Sequence, residues 1–146
     1  MKLSPASFKW IGAGQEEFAV FPEHYRAGEA GRVSLRLAFG YDLSKRIVFT
    51  KVTADFFNND NLFLRCALTC RFEIGEDSWK DRESPDGSYI DIEQDLHVHF
   101  GAFTFGTLRG YLFARQQQSV VSAFLPPVNV IQMVSEMEET KPEVPA

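Results

Sequence analysis

The sequence predicts an α+β domain in which antiparallel strands come first and helices follow. Three observations carry that prediction. Arg32 to Phe39 and Leu62 to Ile74 alternate apolar and polar side chains with the two-residue period of a half-buried strand. Short turn signals join these strands, which makes an antiparallel meander with one wet face. Beyond them lie a hinge, Leu125-Pro126-Pro127-Val128-Asn129, and an apolar stripe at helical spacing.

Phe8 and Trp10 flank Lys9 in a short first strand that Gly12 and Gly14 interrupt. Glu16 to Gly31 then reads as a long connection containing Phe18, Phe21 and Tyr25. Loops of that length are uncommon in compact domains and often functional. The three rings either tuck under the loop or form an open apolar contact surface. In the second strand Val33, Leu35, Leu37 and Phe39 point one way, and Arg32, Ser34 and Arg36 the other. Gly40 to Lys45 is a turn. Arg46 to Phe57 is the third strand, with less cleanly divided faces. Asn58-Asn59-Asp60-Asn61 is a strong hairpin signal. In the fourth strand Leu62, Leu64, Cys66, Leu68, Cys70, Phe72 and Ile74 share one face. Phe63, Arg65, Ala67, Thr69, Arg71 and Glu73 share the other. Gly75 to Gly87 is polar and reads as a turn or flexible loop.

Tyr89 to Phe103 fits two readings. As a strand, Ile90, Ile92, Leu96, Val98 and Phe100 alternate with Asp91, Glu93, His97 and His99. As a helix, Ile92, Leu96, Phe100 and Phe103 form a stripe and Ser88 with Asp91 a capping pair. Periodicity leans slightly to strand and length to helix. Leu108, Tyr111 and Leu112 begin a helix that must stop near Phe124. Pro126 and Pro127 fix φ and push the residue before each into an extended conformation. Asn129 and Gln132 have the spacing of a capping box, and Val130, Met133, Val134 and Met137 form the apolar face of a short last helix. Residues 1–138 are expected to form one domain, and 139–146, at the end of the acidic run from Glu136, a disordered Pro-containing tail.

The 146 residues suit one domain, and an apolar share of 45% supports a sizeable core. The 14 phenylalanines fill that core or line a surface for other apolar chains. A net charge of -5 argues against nucleic acid as the main partner. No run reaches transmembrane length and the first residues lack a signal-peptide core, so a cytoplasmic protein without membrane insertion is expected.

The chemistry-bearing residues do not assemble into a catalytic pattern. Cys66 and Cys70 on one strand lie about 13 Å apart, whereas a disulfide needs Cα atoms within about 7 Å. Buried free thiols are expected. His97 and His99 lack a following carboxylate at ligand spacing, and on a helix their rings diverge by about 160°. His24 stands alone in a loop. There is no nucleophile elbow and no phosphate-cradling glycine loop. Neither enzyme activity nor a metal or other cofactor is expected. Arg109 is expected to pair with an acidic residue of a neighbouring helix.

The order of elements resembles the SecB family of export chaperones over residues 7–138. Leu62 to Ile74 as the last strand, His99-Phe100-Gly101-Ala102, Leu108-Arg109-Gly110 and above all Pro127-Val128-Asn129 carry the resemblance. It implies a four-stranded antiparallel sheet with helices packed on one face, a helical Tyr89 to Phe103, and a homotetramer built as a dimer of dimers. It also implies a holdase that binds unfolded or precursor polypeptides without nucleotide or metal, for export or for a dedicated client such as an antitoxin. Clients of the family lie in apolar grooves beside the first crossover and the interhelical loop, positions held here by Phe18, Phe21, Tyr25, Phe124 and Leu125. Pro126, Pro127, Asn129 and Gln132 form the hinge and cap. One feature departs from the family, whose exposed sheet face is acidic and docks the motor SecA. Here parity places Arg32, Arg36, Lys51, Arg65 and Arg71 on that face against Asp55 and Glu73, which puts SecA docking in doubt. The alternative is a small ligand-binding or scaffold domain that keeps the fold without chaperone activity.

Overall fold

The computed structural model describes residues 5–140, side chains of 138–140 excepted. Four antiparallel strands form one sheet: β1 (Phe8–Val20), β2 (Gly31–Asp42), β3 (Ile47–Asn58) and β4 (Asn61–Ile74), in the spatial order β1-β4-β3-β2. β2, β3 and β4 form the meander, and the segment after β1 crosses from one edge of the sheet to the other. The helices are α1 (Glu76–Lys80), α2 (Gln94–Gln116) and α3 (Val130–Thr140). α2 lies across one face of the sheet, against β3 and β4. The fold is α+β, with the four-stranded antiparallel sheet on one side of the core and helices on the other.

Alternation builds the core. Leu64, Cys66, Leu68, Cys70, Phe72 and Ile74 of β4 and Val48, Val52 and Ala54 of β3 are all fully or almost fully buried. Onto them α2 lays Leu96, Phe100, Thr104, Leu108 and Leu112, one residue per turn, with Phe105 beside them. Phe72 and Phe100 stack at 4.2 Å, and Phe8 meets Phe100 edge-on at 5.0 Å. Gly101 lets three elements converge. A Cβ there would lie 2.8 Å from Val130 Cγ1 of α3 and 3.4 Å from Leu37 Cδ2 of β2.

Several sequence expectations are corrected. β1 does not stop at its glycines: it runs 13 residues, so Phe18 lies in the strand and the crossover begins at Phe21. Bulges between Trp10 and Gly12 and between Gly14 and Glu17 break the period that marks a strand. Gly12 takes φ 139°, and a Cβ there would lie 3.0 Å from Arg71 Nη2. The Asn-rich hairpin is a two-residue turn with Asn59 and Asp60 both in the left-handed region. Beside it, a bulge at Phe56/Phe57 turns Phe63 off its expected polar face, and its ring lies 6.3 Å from that of Phe56.

Gly75 to Gly87 holds the expected turn, with the Gly87 amide bonded to the Ser84 carbonyl at 2.9 Å, but the rest of the segment is no plain loop. It carries α1 with the buried Trp79, then Arg82, whose side chain is wholly buried. Arg82 donates from Nε and Nη2 to the two oxygens of Glu93 at 2.6 and 2.7 Å, and from Nη1 to the Ser78 carbonyl at 2.8 Å. That pairing holds the Glu93 carboxyl below its ordinary range. Ile90 and Ile92 are buried ahead of the helix, which starts only at Gln94 after the extended Glu93. The strand reading of Tyr89 to Phe103 is overturned: residues 89–93 are irregular apart from an isolated bridge between Ile90 and Glu83, and 94–103 are helical. Asp91 caps nothing in the described structure; Asp86 accepts from the Ser84 and Ser88 hydroxyls instead, which holds its carboxyl down at about 2.

The two expected helices before the prolines are one, α2, which ends at Gln116, eight residues before Phe124. Residues 117–129 are irregular. α3 runs through Thr140, so the first two residues of the tail expected at 139–146 are helical. Its remainder, 141–146, lies outside the described residues.

Candidate binding groove

A groove of about 410 Å³ opens where the crossover, the β3–β4 end and the 117–129 segment meet. Phe56 and Phe63, buried to 6% exposure each, form its floor. Tyr25 leans on Phe63 with ring centroids 5.2 Å apart. Ala123, Phe124 and Pro126 form the opposite wall, and Phe124 is 81% exposed.

Side-chain to backbone hydrogen bonds pin both walls. The Arg26 amide donates to Asn58 Oδ1 at 2.9 Å, which ties the crossover to the buried end of β3. Arg26 Nη1 donates to the carbonyls of Glu23 and Tyr25, each at 2.9 Å. On the other side Arg109 Nη2 donates to the Pro126 carbonyl at 3.0 Å; in the described structure this arginine orders the hinge rather than pairing with an acid. Gln116 Oε1 accepts from the Ala123 amide at 2.8 Å. The prolines keep the chain extended here, so Phe124 is displayed rather than folded into a helix.

Of the five residues expected to line a groove, the structure brings together Tyr25 and Phe124. Phe18 stands elsewhere on β1, edge-on to Tyr111 at 6.5 Å and under the Arg115 guanidinium. Phe21 is 36% exposed, its amide bonded to the Phe63 carbonyl, and it does not line the groove. Leu125 is buried in the core. The floor residue Phe63 escapes sequence reading because strand parity fails at the bulge, where it stands unpaired between Leu62 and Leu64. Asn129 Oδ1 accepts from the Gln132 amide at 3.0 Å, but the Gln132 side chain donates to Glu136 and does not reach back to close a capping box.

The opposite, helix-free face of the sheet is less basic than its arginines suggest. Asp55, nearly buried, accepts from Arg65 at 2.6 and 3.1 Å and from Arg36 at 3.3 Å. Arg32 sits 3.5 Å from Asp60 and over the Phe57 ring at 4.1 Å. Among the described residues Lys51 and Arg71 make no ion pair. The face is a mixed network with a small cationic surplus, because buried and cross-strand carboxylates that composition does not locate offset most of it.

Nothing reactive converges on the groove. Cys66 and Cys70 are buried and free, and burial pushes the Cys66 thiol up to about 12. His97 is buried against Phe39 at 4.3 Å and shares a hydrogen bond with the Tyr41 hydroxyl at 2.8 Å. His24 Nδ1 lies 3.0 Å from the Leu62 carbonyl. Among the described residues no group of three or more potential ligands is placed to hold a metal ion, and no helix is long and apolar enough to cross a membrane.

No family model matches the chain, and no curated protein is similar to it in sequence. Its structure is similar to that of the Mycobacterium tuberculosis SecB-like chaperone, solved in complex with a ChAD peptide from the HigA1 antitoxin. The TM-score is 0.52 at 12% identity, over 84% of this chain and 88% of that one. A protein of unknown function from Streptococcus agalactiae aligns over 84% of this chain and 99% of its own, with a TM-score of 0.40 and 11% identity. The chain has a SecB-like fold.

Proposed function

We propose that this chain is a holdase that binds apolar, non-native polypeptide segments in the groove between Tyr25 and Phe124. One observation carries the reading: a phenylalanine 81% exposed to water stands opposite an aromatic floor in a structured wall. Rings bind any apolar stretch without demanding sequence, and each such contact is individually weak. The groove asks nothing of nucleotide or metal. The antitoxin peptide held by the Mycobacterium tuberculosis chaperone supports a polypeptide client, and a dedicated client fits the proposal as well as an export precursor does. The proposed site of action is the cytoplasm. SecA docking is no part of the proposal, because the helix-free face carries a cationic surplus and not an acidic surface.

The chain is expected to suppress aggregation of several chemically denatured apolar clients at near-stoichiometric ratio without nucleotide, followed by light scattering. Aggregation of all of them at the control rate would rule the holdase out.

Weak grooves need multiplicity, so the proposal includes a homotetramer, a dimer of dimers. Two surfaces support it. β1 is an open edge strand. The outer face of α2 presents Ala102, Gly106, Gly110 and Ala114 in a row, flanked by Phe103 and Phe113, which are 43% and 65% exposed. Small residues let two such helices approach closely while the rings cover the contact. Multi-angle light scattering at tens of micromolar should give four times the chain mass; a strictly monomeric species would refute the assembly.

A further inference from the structure

Phe124 belongs to a segment that the backbone alone does not hold. Among the described residues, 120–128 make no backbone–backbone hydrogen bond. Pro126 and Pro127 have no N–H to give. Val121, Ala123 and Leu125 are buried in alternation with the exposed Ser122 and Phe124, the pattern of a strand without a sheet. Burial therefore decides which way Phe124 points. It does not fix how far the ring stands from the floor, because the segment lies between two cavities. On one side is the groove. On the other is a cavity of about 520 Å³, lined in part by Ala102, Phe105, Arg109, Leu125 and Pro127.

Two side chains of α2 supply the missing bonds. Gln116 Oε1 accepts from the Ala123 amide at 2.8 Å. Arg109 Nη2 donates to the Pro126 carbonyl at 3.0 Å, and its Nε lies 3.5 Å from the Leu125 carbonyl. Among the described residues the only other hydrogen bond of 120–128 is local, from the Val121 amide to the Ser119 hydroxyl. The spacing of the two rungs matches. Arg109 and Gln116 are seven positions apart on α2, so they share one face, about 10.5 Å apart along its axis. Ala123 to Pro126 is three steps of extended chain, about 10 Å. Helix and segment run antiparallel, and Phe124 stands between the rungs.

We infer that Arg109 and Gln116 are positioning residues: together they splint the segment so that Phe124 stands at the height over the groove floor that client binding uses, although neither lines the groove. The inference rests on the holdase reading above. A ring held in place before the client arrives loses less freedom on binding, so affinity rises without a new contact. Without the splint the ring is still present and still exposed, but it is no longer preorganised. On the rival account Leu125, 4% exposed, anchors the segment and the two polar side chains are idle. The cavity behind Leu125 argues against that account, since packing fixes a chain only where neighbours fill the space.

The test titrates the full chain into fluorescein-labelled, reduced and carboxymethylated α-lactalbumin, an unfolded chain that cannot refold, and reads anisotropy. Arg109→Met and Gln116→Leu should each weaken binding about fivefold with melting temperatures unchanged. Gln116→Glu keeps the acceptor and should restore what Gln116→Leu loses. In a Phe124→Ala background, titrated to higher chain concentration, neither Arg109→Met nor Gln116→Leu should weaken binding further, because both act through that ring. Amide exchange at Ala123, read by NMR, should quicken about tenfold in Gln116→Leu and slow again in Gln116→Glu. Full affinity in both single variants would overturn the inference and leave the holdase reading standing. The same holds for equal losses in Gln116→Leu and Gln116→Glu, or for an undiminished loss in the Phe124→Ala background. Full binding by Phe124→Ala, or no binding by the unaltered chain, would instead remove the groove reading and the inference with it.

Discussion

Phe124→Asp is expected to lower protection of an aggregating client by at least tenfold without loss of stability. The ring is 81% exposed, so its removal takes little from the folded chain. In a complex it would be buried against client, and burying a phenylalanine is worth about 1.5–3 kcal/mol. Every 1.4 kcal/mol is about tenfold in affinity, and aspartate adds the desolvation of a charge in an apolar groove. Adding Tyr25→Ala should deepen the loss, because Tyr25 stands on the floor residue Phe63 across the same groove. Ile131→Asp is the control: this side chain is 65% exposed on α3 and does not line the groove. Client protection against molar ratio, with melting temperatures of all three variants, decides it. Equal protection by Phe124→Asp and the unaltered chain would move the client site elsewhere.

Arg82→Ala should destabilise the fold by about 3 kcal/mol, read as a fall in the urea midpoint at neutral pH. The side chain is wholly buried and satisfies both Glu93 oxygens and the Ser78 carbonyl. Removing one partner of such a pair leaves the other charge partly buried and unpaired. The low end of the usual range applies because the Glu93 side chain is 32% exposed. The arginine should also leave a pH signature. Its hydrogen bonds hold the Glu93 carboxyl below the ordinary 4.5. A depressed carboxylate contributes stability that is fully present above its unfolded value and is lost as pH falls through the folded one. The unaltered chain should therefore lose this increment below about pH 4.5, and Glu93→Gln should flatten that part of the stability–pH curve. A change under about 1 kcal/mol in Arg82→Ala would mean that residues 76–93 are held by Trp79 and the two isoleucines alone.

The helix-free sheet face shows how composition misleads when partners are unknown. Strand parity correctly puts Arg36 and Arg65 on one side. It does not show that both converge on a single buried Asp55, because that depends on the register of three strands.

By itself the sequence determined the meander, because two-residue alternation in β2 and β4 has one low-energy outcome once one side must leave water, and Asn59-Asp60 tolerates the left-handed turn between β3 and β4. It also determined that Pro126 and Pro127 stand in extended chain, since ring closure acts on the local backbone alone. Only the tertiary structure decided the rest, because non-local partners override local preference there. β1 continues past its glycines since β4 supplies hydrogen bonds on both sides of each bulge. Residues 76–93 are ordered through an arginine and a glutamate 11 positions apart that look like surface charges until burial joins them. Phe63 belongs to the groove floor because one bulge opposite Phe56/Phe57 reverses its side of the strand, a one-residue shift that no periodicity over a short strand reveals.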